Sequence, residues 1–296
     1  MERFQEIDAD AKANPRDPGW VKWKGGELMS FKNGLQTLPK AVGAYLTPSR
    51  VRLSHTLEKL TRDETTGEFT ATFATPTGPE TIKARSVHLT SPSTATAKIL
   101  GGAQNLVPAA SRLAEIYQPP VASVVLSYPN SVFKSDLPGH TKEKPLRGFG
   151  ILFPRNRGIR SLGIIFNTSL FPNRSPPGRQ SILTYIGGTL DPTLGDKTEE
   201  EIAAVVDEDV RKVLCKEGTA AGTYEIMGVK VWKTAIPQYY DGHAGIMKEL
   251  DAGVASVPGL FVNGNYKSGV AFGDCVGVGY EDSAKVAAYL DGEGKK

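Results

Sequence analysis

Apolar and polar residues alternate with a period of two from Arg50 onward. RVRLSHTLEKLTRD, FTATFATPTG and ETIKARSVHLT follow one another, parted by the turn-rich DETTGE and TPTGPE. This spacing predicts a meander of three strands. Ahead of it, a helix is expected from about Phe31–Gly34 through LQTLPKAVGAYL, with Pro39 in its first turn or kinking it. Residues 1–24, with their NPRDPGW stretch, read as an irregular lead-in.

Behind the meander, TATAKILGG predicts a short helix. From Val121 to Gly188 the stretches VASVVLSY, GFGILFP, SLGIIFNTS and SILTYIGG read as buried strands. TEEEIAAVVDEDVRKVLC predicts an amphipathic helix with Thr198 as its N-cap and acids in its first turn. VKVWKTAIPQY predicts a strand entering a turn, and GHAGIMKELDAG another helix. The closing segment GLFVNGNYKSGVAFGDCVGVGYEDSAKVAAYL predicts a strand, a glycine-studded loop and a helix starting near Asp274. Strands and helices interleave, but not as a regular βαβ series, and no GxGxxG follows an early strand. One domain would then require the first meander to pair with the C-terminal strand.

Composition narrows the partners. The 296 residues are 40% hydrophobic and 23% charged, with a net charge of +3 and no basic block. Nucleic acid is therefore not expected as a partner. Cys215 and Cys275 lie far apart and match no metal spacing, which points to a reducing compartment without a disulfide framework. His55, His88, His140 and His243 stand singly, so no metal site is expected. No apolar run reaches the ~18 residues of a spanning helix. The polar N-terminus resembles neither a signal nor a transit peptide.

Several segments are candidates for chemistry. In the C-terminal loop, Gly264, Gly269 and Gly273 would let the backbone approach a flat ring. The N–H groups of the next helix would favour negative charge, such as the N1–C2=O edge of a reduced flavin. A tight turn that binds nothing has an equal claim on the same pattern. Trp232 and Pro237 in VWKTAIPQY could wall a cofactor, although a buried structural Trp reads the same way. HLTSPS carries Thr90 to a strand end, where a cofactor could lie, as it also would at an ordinary strand end. Phe149, Leu152, Phe153, Leu170 and Phe171 could line a pocket for a flat apolar ligand, with Arg155, Arg157, Arg174 and Arg179 at its rim. A core satellite with solvated arginines would give the same pattern. Cys275 at a helix N-terminus reads more readily as buried and structural. No side chain stands out as a catalytic acid, base or nucleophile.

Taken together, SFKNGLQTLPKAV, SVHLTSPS, YQPPVASVVLSYP, GFGILFPR, SLGIIFNTSLFPNRSPPGR, YIGG, VWKTAIPQY and GLFVNGNYKSGVAFGDCVGVGYEDS resemble the protoporphyrinogen oxidases of plants and cyanobacteria. The resemblance runs from about Gly25 to Leu290 and covers the C-terminal half to two-thirds of such an enzyme. It implies an α+β or α/β fold: part of a flavin amine-oxidase-type FAD-binding domain with an inserted mixed-sheet substrate domain. Expected boundaries are 25–100 and 236–296 for the FAD part and 101–235 for the substrate part. It further implies FAD contacts at Leu57, Thr90, Trp232, Pro237, Val270, Ala271 and Phe272, and tetrapyrrole contacts at Leu152 and Phe171.

The implied reaction is oxidation of protoporphyrinogen IX by FAD and molecular oxygen in heme and chlorophyll synthesis. The setting would be the chloroplast, or alternatively the mitochondrion, with room for a homodimer and for peripheral membrane association of the full-length form. The family's N-terminal GxGxxG unit is absent from this sequence. That leaves a second reading: a non-catalytic remnant that binds tetrapyrrole, or a full-length partner, without FAD. A different flavin amine oxidase fits less well, because SLFPNR and YIGG belong to the porphyrin branch.

Overall fold

The computed structural model describes residues 30–47, 50–103 and 105–292, so the expected lead-in over 1–24 lies outside the described residues. The chain divides into two units, Met1–His55 and Thr56–Lys296. Within the described part of the first unit, α1 (Thr37–Leu46) is a single helix with Pro39 in its first turn, where a missing N–H costs nothing.

The second unit opens with the expected meander: β1 (Thr56–Arg62), β2 (Phe69–Thr75) and β3 (Gly78–Ala84), antiparallel in the order β1-β2-β3. ETIKARSVHLT is not one strand, however. The chain breaks at Arg85–Ser86, and β4 (Val87–Leu89) leaves the meander to pair in parallel with β10 (Leu260–Val262). The Val87 N–H donates to the Gly259 carbonyl at 2.9 Å, and the Asn263 N–H to the Leu89 carbonyl at 2.9 Å, extending this ladder at both ends. The C-terminal strand therefore closes on β4 rather than on the meander.

Around these strands pack α2 (Ser93–Leu100), a 3-10 helix at Pro108–Glu115 that the sequence pattern did not announce, and α5 (His243–Ala255). Their shared core holds Leu60, Phe69, Leu89, Leu100, Leu113, Leu250, Leu260, Val262 and Tyr266.

The second core lies under an antiparallel sheet of order β6-β7-β8-β5-β9. Its strands are β5 (Val121–Pro129), β6 (Gly150–Leu152), β7 (Ser161–Ile165), β8 (Arg179–Gly187) and β9 (Glu225–Trp232). A short helix, α3 (Asn167–Leu170), joins β7 towards β8. Because side chains alternate, each transverse row of the sheet faces one way. The row Ile151–Ile164–Thr184–Val124–Val229 points inward, with Ile164, Thr184 and Val124 fully buried. Helix α4 (Glu199–Leu214) covers that side through Ile202, Ala203, Val206, Val210 and Leu214, at the spacing of one helical stripe.

Helix α4 starts at a capping box. The Thr198 side chain accepts from the Glu201 N–H, and the Glu201 carboxylate accepts from the Thr198 N–H. Two buried carboxylates dock it. Asp209 accepts from the Ser161 N–H at 2.8 Å and the Ser161 hydroxyl at 2.7 Å. Asp207 accepts from the Tyr128 hydroxyl and from Arg211 Nε, both at 2.9 Å. Burial, and then the Asp207 charge, push the Tyr128 phenol up, so it remains a donor at neutral pH. The same two causes push the Cys215 thiol up to about 11, which leaves it protonated and without a nucleophilic role.

Removing Asp207 strands a buried hydroxyl and a half-buried guanidinium. Asp207→Ala is therefore expected to cost about 3 kcal/mol in urea unfolding. Thr198→Ala is expected to cost about 1 kcal/mol by the same measurement.

Candidate functional site

A cleft of about 350 Å³ opens at the carboxyl ends of β4 and β10 and is lined by His88, Thr90, Asn263, Gly264, Gly269 and Cys275, among others. Ligands of open α/β sheets lie at this position, because the strands end there and helix N-termini point towards the gap. Helix α6 (Phe272–Asp291) begins on the rim of the cleft, two residues earlier than Asp274. Ala271 is its N-cap, and the first helical bond runs from the Cys275 N–H to the Ala271 carbonyl at 3.1 Å. No side chain caps this end, so the N–H groups of Phe272, Gly273 and Asp274 have no partner within the helix. Cys275 is exposed, not buried, with its Sγ 3.9 Å from the Gly269 carbonyl.

The loop between β10 and α6 depends on glycine at two points. A Cβ at Gly264 would lie 2.6 Å from the Tyr266 ring, which is fully buried. Gly269 has φ +99°, and a Cβ there would meet the Asp274 carboxylate at 2.7 Å. At the end of this loop Val270 and Phe272 stand 47% and 42% exposed, and Ala271 is exposed between them.

Beneath the cleft lies a buried charge. Asp282 is the only buried residue of α6. Its carboxylate accepts from Asn263 Nδ2 and from Lys285 Nζ, both at 2.8 Å. His88 Nε2 stands 3.2 Å away, near enough for charge contact but not aligned as a hydrogen bond. Burial raises the Asp282 carboxyl, but the hydrogen bonds from Lys285 and Asn263 outweigh it and hold the group below its usual range.

The structure brings several expected cofactor residues to this place. Thr90 lines the cleft, whereas Val270, Ala271 and Phe272 lie between its lining residues Gly269 and Cys275 in the chain, at the start of α6, and do not line it themselves. Trp232 ends β9 and is 44% exposed, which sets aside the buried structural reading. Pro237 is buried in a turn pinned by the Gln238 N–H to the Tyr117 carbonyl (2.9 Å) and the Ala235 N–H to the Pro119 carbonyl (3.2 Å). From that turn, the Tyr239 hydroxyl donates to the Asn265 carbonyl at 2.5 Å and ties AIPQYY to the glycine loop. Leu57 sits on β1, half-buried against the meander core.

The outward face of the five-stranded sheet is a second surface. Leu152, Gly163, Tyr185, Ser123 and Lys230 form one transverse row, and Trp232 pairs with Val121 near its end. Leu152 is 87% exposed and its side chain lies against Gly163, where a Cβ would meet Leu152 Cδ2 at 3.0 Å. Phe171 is half-buried on the loop after α3, with the Arg174 guanidinium 4.9 Å from its ring centre. Arg179 is not a free rim cation. It donates to the Ser127 hydroxyl and carbonyl at 2.9 and 2.8 Å and pairs with Glu225.

Sequence reasoning missed Asn263, Asp282, His88 and Tyr185. The strand-then-NGN pattern was a signal for a side-chain-capped loop, but the partner of Asn263 lies 19 residues away on α6. Tyr185 stood in the YIGG string, but only the sheet register shows that it shares a face with Leu152.

No helix among the described residues is long and apolar enough to cross a membrane, and no cluster of metal-ligating side chains occurs among them.

Comparison with known proteins accords with this geometry. Protoporphyrinogen oxidase 1, chloroplastic, of Spinacia oleracea is 40% identical over 281 residues, covering 93% of this chain and 48% of the relative. Protoporphyrinogen oxidase, chloroplastic, of Nicotiana tabacum is 40% identical over 289 residues, covering 97% of this chain and 51% of the relative. The chain thus spans about half the length of the curated relatives it matches. A solved protein of Exiguobacterium sp. 255-15 superposes with a TM-score of 0.66 at 20% identity, covering 93% of this chain and 54% of that one, which speaks to the fold. The description of the flavin-containing amine oxidoreductases matches residues 20–287, and the chain belongs to that family.

Proposed function

We propose that this chain forms the flavin-covering and tetrapyrrole-facing half of a protoporphyrinogen oxidase, acting on protoporphyrinogen IX. The observation that carries the reading is the cleft at the ends of β4 and β10, where a glycine loop and an uncapped helix N-terminus meet. The residues present suit the ring end of FAD. Gly264 and Gly269 allow close backbone approach, Val270 and Phe272 offer apolar contact, and the first-turn amides of α6 favour negative charge beside them. The turn after β4, Thr90-Ser91-Pro92, contains no glycine, so this strand end does not supply a pyrophosphate cradle.

Bound FAD would supply the hydride-accepting chemistry, and molecular oxygen would be the terminal oxidant. The chain's own part is to bind and orient. Trp232 and the Pro237 turn would wall the cofactor, Thr90 would face it from the strand end, and Leu57 would back the cleft from the meander. Leu152, with Tyr185 on the same face, would contact the macrocycle by apolar packing, and Phe171 would add to that contact from its loop. The 25–100 and 236–296 segments would then form the cofactor part and 101–235 the substrate part. The names of the plant relatives support a chloroplast setting, and one of them is named chloroplastic/mitochondrial, which supports the alternative. Homodimer formation and peripheral membrane association of a full-length form belong to the same proposal, as does a place in heme and chlorophyll synthesis.

The purified chain, incubated with FAD and desalted, is expected to retain a visible flavin band. A colourless protein would overturn cofactor binding by this half alone and favour the remnant reading. Leu152→Asp is expected to weaken protoporphyrin IX binding by about tenfold or more in tryptophan-fluorescence titration, since it sets a charge where an apolar ring would lie. Its melting temperature should match the parent's, because Leu152 is 87% exposed.

A further inference from the structure

A buried carboxylate on an otherwise exposed helix requires a reason, since charge is seldom buried without a partner to hold. Asp282 is 5% exposed, and Asn263, which it binds, is 8% exposed. Asn263 stands at the hinge between β10 and the glycine loop. Its Oδ1 accepts from the Gly264 N–H at 2.8 Å and from the Ser268 hydroxyl at 2.9 Å. Its Nδ2 donates to Asp282.

The amide can therefore face only one way. An ionised Asp282 only accepts and the Gly264 N–H only donates, so a flipped Asn263 would lose both bonds. Asp282 fixes the orientation of Asn263, and Asn263 in turn fixes the first and fifth residues of the loop, Gly264 and Ser268. Further bonds from the Lys267 and Ser268 N–H groups to the Gly264 carbonyl, at 3.0 and 3.3 Å, close the same turn. Two residues beyond Ser268 come Val270, Ala271 and Phe272.

We propose that Asp282 and Asn263 are positioning residues, which set the conformation of the loop 264–271 and through it the seat of the flavin ring, without touching the ring. The seat rests on the flavin reading above, whereas the loop geometry stands on its own. With the Asn263 side chain removed, Asp282 keeps Lys285 and His88 as neighbours, so the buried charge is not abandoned.

The test is amide hydrogen exchange on the full chain without cofactor, followed by FAD titration. Asn263→Ala removes the bonds to Gly264, Ser268 and Asp282 and is expected to speed exchange across 264–272 by about tenfold or more, while β5 and β8 stay as protected as in the parent. Ser268→Ala removes one bond at a half-exposed hydroxyl and should give a smaller increase over the same residues. It also serves where Asn263→Ala does not fold. Asp282→Asn retains an acceptor for Asn263 and should restore most of the protection that Asp282→Ala removes. In the titration, Asn263→Ala should raise the FAD Kd about tenfold and move the visible flavin band, which a loss of stability alone would not do. Loop exchange equal to the parent's in both Asn263→Ala and Ser268→Ala would overturn the proposal. Faster loop exchange in a chain that binds no FAD would instead sustain the positioning role and overturn only cofactor binding by this half alone.

Discussion

The parallel pairing of β4 with β10 is the constraint on which the site depends. Only three residue pairs make it, Val87 with Leu260, His88 with Phe261 and Leu89 with Val262, yet the partners are separated by more than half of the chain. Closing so long a loop has an entropic cost that the short ladder cannot offset by itself. The surrounding apolar side chains supply the difference. Leu89, Leu260 and Val262 are buried in one core with Leu60 and Phe69 of the meander and Leu250 of α5. Once the strands are paired, Thr90 and Asn263 leave their ends side by side, and the cleft follows.

Charge does a different kind of work in each half of this unit. In the five-stranded region, Asp207 and Asp209 lock α4 against the inner face of the sheet through Tyr128, Arg211 and Ser161. These bonds join elements that are already held by apolar packing, and they fix register more than they drive association. At the cleft, Asp282 holds a loop whose apolar anchor is the fully buried Tyr266. Gly264 and Gly269 have no side chains to pack on either side of that anchor, so polar bonds take over the task of ordering the backbone there.

The two faces of the five-stranded sheet show a similar division. One is filled by α4 and carries the core. The other keeps Leu152, Tyr185 and Trp232 accessible in an area otherwise floored by small residues such as Gly163 and Ser123. Ser123 and Lys230 share that face, so it mixes apolar and polar groups, and the strands hold them in fixed register.

Much of this protein was legible in the sequence. The period of two marked the meander, the apolar runs marked β5 and β8, and Thr198 with Glu201 marked the start of α4, because alternation and capping are local properties. The composition of the C-terminal loop marked a turn that needs glycine at 264 and 269, since glycine acts through its own backbone. Tertiary structure decided what depends on distant partners. It broke ETIKARSVHLT into two strands of different sheets, because pairing with β10 pulls Val87–Leu89 away from the meander. It started α6 at Phe272, exposed Cys275 and Trp232, and committed Arg179 to Ser127 and Glu225. It alone set Asp282 beneath Asn263, because a buried hydrogen bond is specified by the packing of two elements and leaves no periodic mark on either.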